Sequence, residues 1–133
     1  MQVQTKVKPF LMFEGNAEEA MNFYVATLPG SEIQKIVRCS SGGPGKEGSI
    51  LTAIFSLAGQ PVMCSDSSVH HAFTFTPSIS FFIECTSDEE IERLSVALSE
   101  GGSQLMPLAN YGFSRQFAWV SDRFGVSWQL NLT

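Results

Sequence analysis

Asn16-Ala17-Glu18-Glu19 and Ser87-Asp88-Glu89-Glu90 open the same kind of helix twice in one chain, 71 residues apart. Asn or Ser at such a start takes a free backbone N–H of the first turn, and Glu three positions on completes a capping box. At the same offset Ala20, Phe23, Val25 and Ala26 return as Ile91, Leu94, Val96 and Ala97, and Gly30 returns as Gly101. Each helix follows an apolar run, Phe10–Phe13 or Ile79–Ile83, and precedes strand pairs with tight turns near Gly59 and Gly125. The repeated unit is strand, helix and three strands, and a repeat of this kind sets the architecture.

Outward from the helix starts, the first strand reads as Val7–Phe13, with Pro9 tolerable near its beginning. Asn16 caps a helix to about Leu28, and Ala17, Ala20, Met21, Tyr24 and Leu28 recur at helical spacing toward a core. Leu28-Pro29-Gly30 stops it. Glu32–Cys39 alternates as a second strand, Ser40–Gly48 is a glycine-rich loop, and Ile50–Leu57 with Pro61–Ser65 forms a hairpin through Ala58-Gly59-Gln60. Ser67–Pro77 is the longest irregular stretch and divides the halves. The second half runs as a strand at Ser78–Glu84, a helix from Ser87 to about Glu100, a weak strand at Gln104–Met106, and a hairpin of Ser114–Ser121 with Val126–Leu132. In the last strand Val126, Trp128, Leu130 and Leu132 share one face, and Ser127, Gln129 and Asn131 share the other. The expected class is α+β: two βαβββ modules in tandem, forming curved mixed sheets with helices outside. Module 1 spans about residues 6–66, a loop 67–77, and module 2 about 78–133, within a single domain.

Composition narrows the function classes. The chain has 133 residues, 44% apolar and 16% charged, which suits a globular fold with a real interior. Its apolar stretches are short and interrupted, so a membrane partner is not expected. The N-terminal Met-Gln-Val-Gln-Thr-Lys-Val-Lys lacks the apolar core of a signal peptide, which favours the cytoplasm. A net charge of −5, with Lys6, Lys8, Lys35 and Lys46 scattered, argues against nucleic acid. Cys39, Cys64 and Cys85 lie in or beside predicted strands without a CxxC spacing, and read as small buried apolar residues rather than redox or metal groups.

The segments Phe13–Tyr24 (F-E-G-N-A-E-E-A-M-N-F-Y), Ile79–Cys85 (I-S-F-F-I-E-C) and Trp119–Leu130 (W-V-S-D-R-F-G-V-S-W-Q-L) carry a family resemblance. The chain resembles the vicinal oxygen chelate superfamily of glyoxalase I, bleomycin-resistance proteins and extradiol dioxygenases. Within it, the chain is similar to the PhnB-like branch, often labelled 3-demethylubiquinone-9 3-methyltransferase-like. The resemblance implies a glyoxalase-like fold, a cup for a small organic molecule, and pairing into a homodimer. In metal-dependent members, His, Gln or Glu from the first and last strand of each half converge on one ion. By repeat alignment those positions fall near Lys8, Met63, Ser78 and Gln129, and a slide of one or two residues brings in Phe10, Ser65 or Ser80. Only Gln129 matches the pattern. No metal and no other cofactor is therefore expected.

The strand faces opposite the core present Phe10, Met12, Met63, Ser65, Ser78, Ser80, Phe82, Ser127 and Gln129, with Arg115, Phe117 and Trp119 from the neighbouring strand. Apolar and aromatic groups with a few hydroxyls and amides are the usual lining of a small-molecule site, and Arg115 suits an anionic group on a ligand. The competing reading is the packed interior of a small barrel. His70 and His71 stand either as loop residues or as proton-transfer groups, with Tyr111 a further candidate. Glu14 and Glu84, at matching strand ends, could form a carboxylate pair for acid–base work, but they and Asp122 read more simply as turn residues.

Two functions stand side by side: metal-independent binding of a small molecule, and an enzyme of lyase, isomerase or oxygenase type on the same scaffold. Methyl transfer lacks support. Gly42-Gly43-Pro44-Gly45-Lys46-Glu47-Gly48 joins two strands, and Glu47 stands where a phosphate loop needs Ser or Thr.

Overall fold

A computed structural model describes residues 4–133, which fall into two compact units with the boundary in the chain between His70 and His71. The first unit holds β1 (Phe10–Phe13), α1 (Ala17–Thr27), β2 (Glu32–Arg38), β3 (Ile50–Leu57) and β4 (Gln60–Asp66). The second holds β5 (Ser80–Glu84), α2 (Asp88–Ser99), β6 (Ser103–Ala109), β7 (Gln116–Ser121) and β8 (Ser127–Leu132). The doubled plan read from the helix starts is thus built twice, as a glyoxalase-like α+β fold. Its sheets run β1-β4-β3-β2 and β5-β8-β7-β6. In each, the first strand lies parallel to the last and the other pairs are antiparallel.

In the first unit α1 lies over β2, β3 and β4. Ala17, Ala20, Met21 and Tyr24 are buried on the helix, and Leu11, Phe13, Ala53, Phe55, Val62 and Cys64 on the strands. Burial of one face of each strand holds the register, because a one-residue slip would send this whole set to the other side. The helix stops where Leu28 turns extended, with Pro29 and a left-handed Gly30 (φ 76°) beyond it. Ala58 and Gly59 have φ of 50° and 95° between the paired Leu57 and Gln60. Positive φ at both central residues is the signature of a two-residue hairpin turn whose twist suits the strands. In the second unit α2 packs on β6, β7 and β8. Trp128, Leu130, Val120, Ile91, Leu94 and Leu98 form its core, so the alternation read in the last strand is realised.

Local expectations needed correction where tertiary partners intervened. Asn16 makes no side-chain capping bond. Asp66, at the end of β4, does that work: its Oδ1 accepts from the N–H groups of Gly15 and Ala17, and its Oδ2 from Ile50, at 2.9–3.0 Å. Ser87 does cap α2 by accepting from Glu90 N–H, but Glu90 reaches back one residue further than expected, to Thr86. β1 begins at Phe10, not Val7; Pro9 offers no N–H, and its carbonyl takes the last bond, from Met63. β5 begins at Ser80, not Ser78, which sits in a turn with its Oγ 2.8 Å from Thr76 Oγ1. β6 is longer than Gln104–Met106 because an edge strand tolerates Pro107. Neither helix is long and apolar enough to cross a membrane.

All three cysteines are free and buried. Burial pushes the Cys64 thiol up to about 12 and that of Cys85 up to about 11, so both are neutral thiols near pH 7.

Candidate functional site

Each sheet has a second face, turned away from its helix. In the first unit, register aligns Phe10 with Met63 and Ile54, and Met12 with Ser65. Met12, Ile54, Met63 and Ser65 are half-buried and Phe10 is exposed. Thr52 and Ser56 share the face with Ile54 along β3, and Lys35 is registered with Ile54, so the face mixes apolar groups with hydroxyls and an ammonium. In the second unit three rows cross the sheet. Ser80, Ser127, Ser121 and Ser103 form the first row, Phe82, Gln129, Trp119 and Met106 the second, and Glu84, Asn131, Phe117 and Ala109 the third.

The serine row is tied into the second row by hydrogen bonds. Ser127 Oγ lies 2.6 Å from Ser80 Oγ and accepts from the Trp119 indole N–H at 2.8 Å. Trp119 is therefore held by its polar edge with its ring on the open face. Gln129, beside it, is half-buried.

The remaining expected residues lie elsewhere. Ser78 stands in the turn before β5, outside the sheet. Arg115 precedes β7, and its guanidinium lies 3.7 Å from Asp88 in the first turn of α2. Phe117 is on the open face but is itself covered, with Phe113 and Tyr111 set edge to face against it. His70 Nδ1 lies 2.8 Å from Glu14 Oε1, while the His70 side chain is 90% exposed. Glu14 thus orients an imidazole, a partner that sequence reasoning missed because the two are 56 residues apart. Asp122 accepts from Phe124 and Val126 N–H groups, the turn role expected of it.

The face chemistry does not fit a divalent metal. Lys8 lies ahead of β1, Met63 is registered with Phe10, Ser78 is in a turn, and Gln129 is registered with Phe82. An ammonium, a thioether and a neutral hydroxyl are poor or impossible ligands for a hard or borderline cation, and one amide oxygen does not hold it. Among the described residues, no group of three or more His, Cys, Asp and Glu side chains is placed to hold an ion.

The family model described as 3-demethylubiquinone-9 3-methyltransferase matches residues 5–131. A Bacillus cereus PhnB protein of solved structure is 51% identical, covers 97% of this chain and 100% of its own, and superposes with a TM-score of 0.94. Protein YjdN of Escherichia coli is 25% identical over 95% of this chain and 94% of its own. The fosfomycin resistance protein FosX of Listeria monocytogenes, solved with Mn(II) and sulfate, has the same fold. It is 12% identical, covers 99% of this chain and 94% of its own, and has a TM-score of 0.62.

Proposed function

The chain belongs to the 3-demethylubiquinone-9 3-methyltransferase family, a PhnB-like branch of the vicinal oxygen chelate superfamily, and on that premise we propose that it binds a small organic molecule without a metal. The site is the face of the β5–β8 sheet turned away from α2. The observation that carries this is the second row of β5–β8. Phe82 is exposed at 55%, Trp119 is pinned through its indole N–H, and Gln129 lies between them with its amide. Large apolar surface with a few fixed polar groups is what small-molecule sites present. An isolated solvent-facing sheet surface has no need of it.

The family's descriptive name speaks of methyl transfer. Residues 42–48 join β2 to β3 and open no helix, so the strand–glycine loop–helix arrangement that commonly cradles a nucleotide-like cofactor is missing there. Binding without methyl transfer is the reading we favour.

A fragment screen by NMR on protein pretreated with EDTA tests the proposal. Binding fragments are expected to move the Trp119 indole signal while leaving that of Trp128 in place. Fragments that bind only after metal is restored, or none that move Trp119, would refute it.

A further inference from the structure

The loop between β6 and β7 holds two exposed aromatic rings in a fixed arrangement. Phe113 is 63% exposed and Tyr111 39%. Their rings are near parallel, 16° apart with centroids at 6.3 Å, and both stand edge to face against Phe117, at 71° and 85°. Exposed aromatics on a loop ordinarily sample several rotamers, but these are tied down. The Tyr111 hydroxyl donates to the Pro107 carbonyl, Gly112 N–H donates to Asn110 Oδ1, and Ser114 Oγ donates to Asn131 Oδ1. Gly112 has φ of 100°, which lets the chain fold back between the two rings. Three hydrogen bonds thus preorganise apolar surface that the unit's own core does not use, and preorganisation lowers the entropy cost of binding.

The third row of the open face brings charge to these rings. Phe117 is registered with Asn131, and Asn131 with Glu84, so an exposed carboxylate lies two strands away on the same face. At the usual strand spacing that is roughly 10 Å. Arg115, the cation that follows the loop, is drawn to Asp88 at the start of α2. The net charge of the whole chain, −5, favours a positive ligand as well. The exposed, near-parallel rings of Tyr111 and Phe113 offer π faces to solvent, and an alkylated ammonium binds such faces through their negative quadrupole.

We infer that the exposed rings of Tyr111 and Phe113, seated on the buried Phe117, form with Glu84 on the same face a subsite for the ammonium group of a small organic cation. The inference rests on the small-molecule reading above and names the ligand class for its second-unit face. The neutral amide of Asn131 lies between the aromatic and carboxylate ends, so a ligand with a hydroxyl near its ammonium group fits the row.

Choline and its uncharged carbon isostere, 3,3-dimethyl-1-butanol, are the probes, titrated into the full chain with the aromatic ring signals followed by NMR. Choline is expected to shift the Tyr111 and Phe113 rings and to bind at least about tenfold more tightly than the isostere. Phe113→Ala is expected to abolish that preference, and Glu84→Gln to weaken choline by about twofold at low salt. Glu84 is exposed, so Glu84→Gln should keep the wild-type melting temperature. Phe113→Ala uncovers part of Phe117, and Phe113→Leu, which keeps apolar cover without a ring face, serves as its folded control. Equal affinity for the two probes would overturn the cation assignment while leaving a small-molecule face. Fragments that move Trp119 without choline moving these rings would overturn the subsite alone. If Phe113→Ala only converts a dimer to a monomer, the rings are a self-association surface and the inference fails.

Discussion

The indole N–H of Trp128 donates to Asp122 Oδ2 at 2.8 Å, while Oδ1 of the same carboxylate accepts from Phe124 and Val126 N–H groups. One side chain, 3% exposed, thereby closes the β7–β8 turn and anchors a wholly buried ring. A buried carboxylate is costly unless its oxygens are satisfied, and here three donors meet them.

Trp128→Ala should destabilise the protein by about 3–5 kcal/mol in urea unfolding, the cost of emptying a core site of this size. Trp128→Phe keeps much of the packing and removes one donor from Asp122, for a loss of about 1–3 kcal/mol. Equal losses for the two variants would show that packing contributes little.

Asp66 carries a similar burden in the first unit. Asp66→Ala frees the Gly15, Ala17 and Ile50 N–H groups together and should cost about 1–3 kcal/mol. Asn16→Ala, at the position where sequence places the cap, should fall within about 0.5 kcal/mol of wild type, because its side chain makes no capping bond. The reverse order in thermal denaturation would return the capping role to Asn16.

The raised thiols make stability fall at alkaline pH. Below about pH 8 folded and unfolded chains both largely hold their thiol protons, and this contribution leaves the native state at full stability. Between pH 9 and about 11 the unfolded chain ionises Cys64 and Cys85 while the native state keeps them protonated, since they titrate at about 12 and about 11. Each thiol then removes up to about 1.4 kcal/mol per pH unit. Replacing both with Ala should flatten this limb of the pH–stability curve, whatever it does to the plateau. Native protein should also react with a thiol reagent only as fast as it opens.

The sheet layout motivates an expectation of self-association. Each sheet ends in strands with one hydrogen-bonding edge outside its own sheet, and edges of that kind call for cover. Sedimentation at micromolar concentration is expected to give a homodimer. A clean monomer across that range would contradict the expectation.

The fold was legible because its signals are local and doubled: two helix starts, two apolar runs, and an alternating last strand. Strand ends were less so, since Pro9 and Pro107 act through ladder position, and ladder position depends on neighbours far along the chain. Candidate site residues fared according to the same rule. Alternation correctly put Gln129, Trp119 and Phe82 on one face, because register partners share a face. Arg115 and Ser78 fall outside β7 and β5, because those strands end short of the limits that alternation alone suggests. The partnerships of Asp66 with Gly15 and of Glu14 with His70 join residues about 50 positions apart, and no local pattern announces them.

The most direct test of metal-independent binding is elemental analysis of the protein purified without added metal, followed by titration with zinc, nickel and manganese. The account predicts no stoichiometric metal, no saturable uptake, and fragment binding at Trp119 that survives chelation. Stoichiometric metal that is lost on mutating Gln129 would contradict it, and metal lost on mutating His70 or His71 would move the site to their loop.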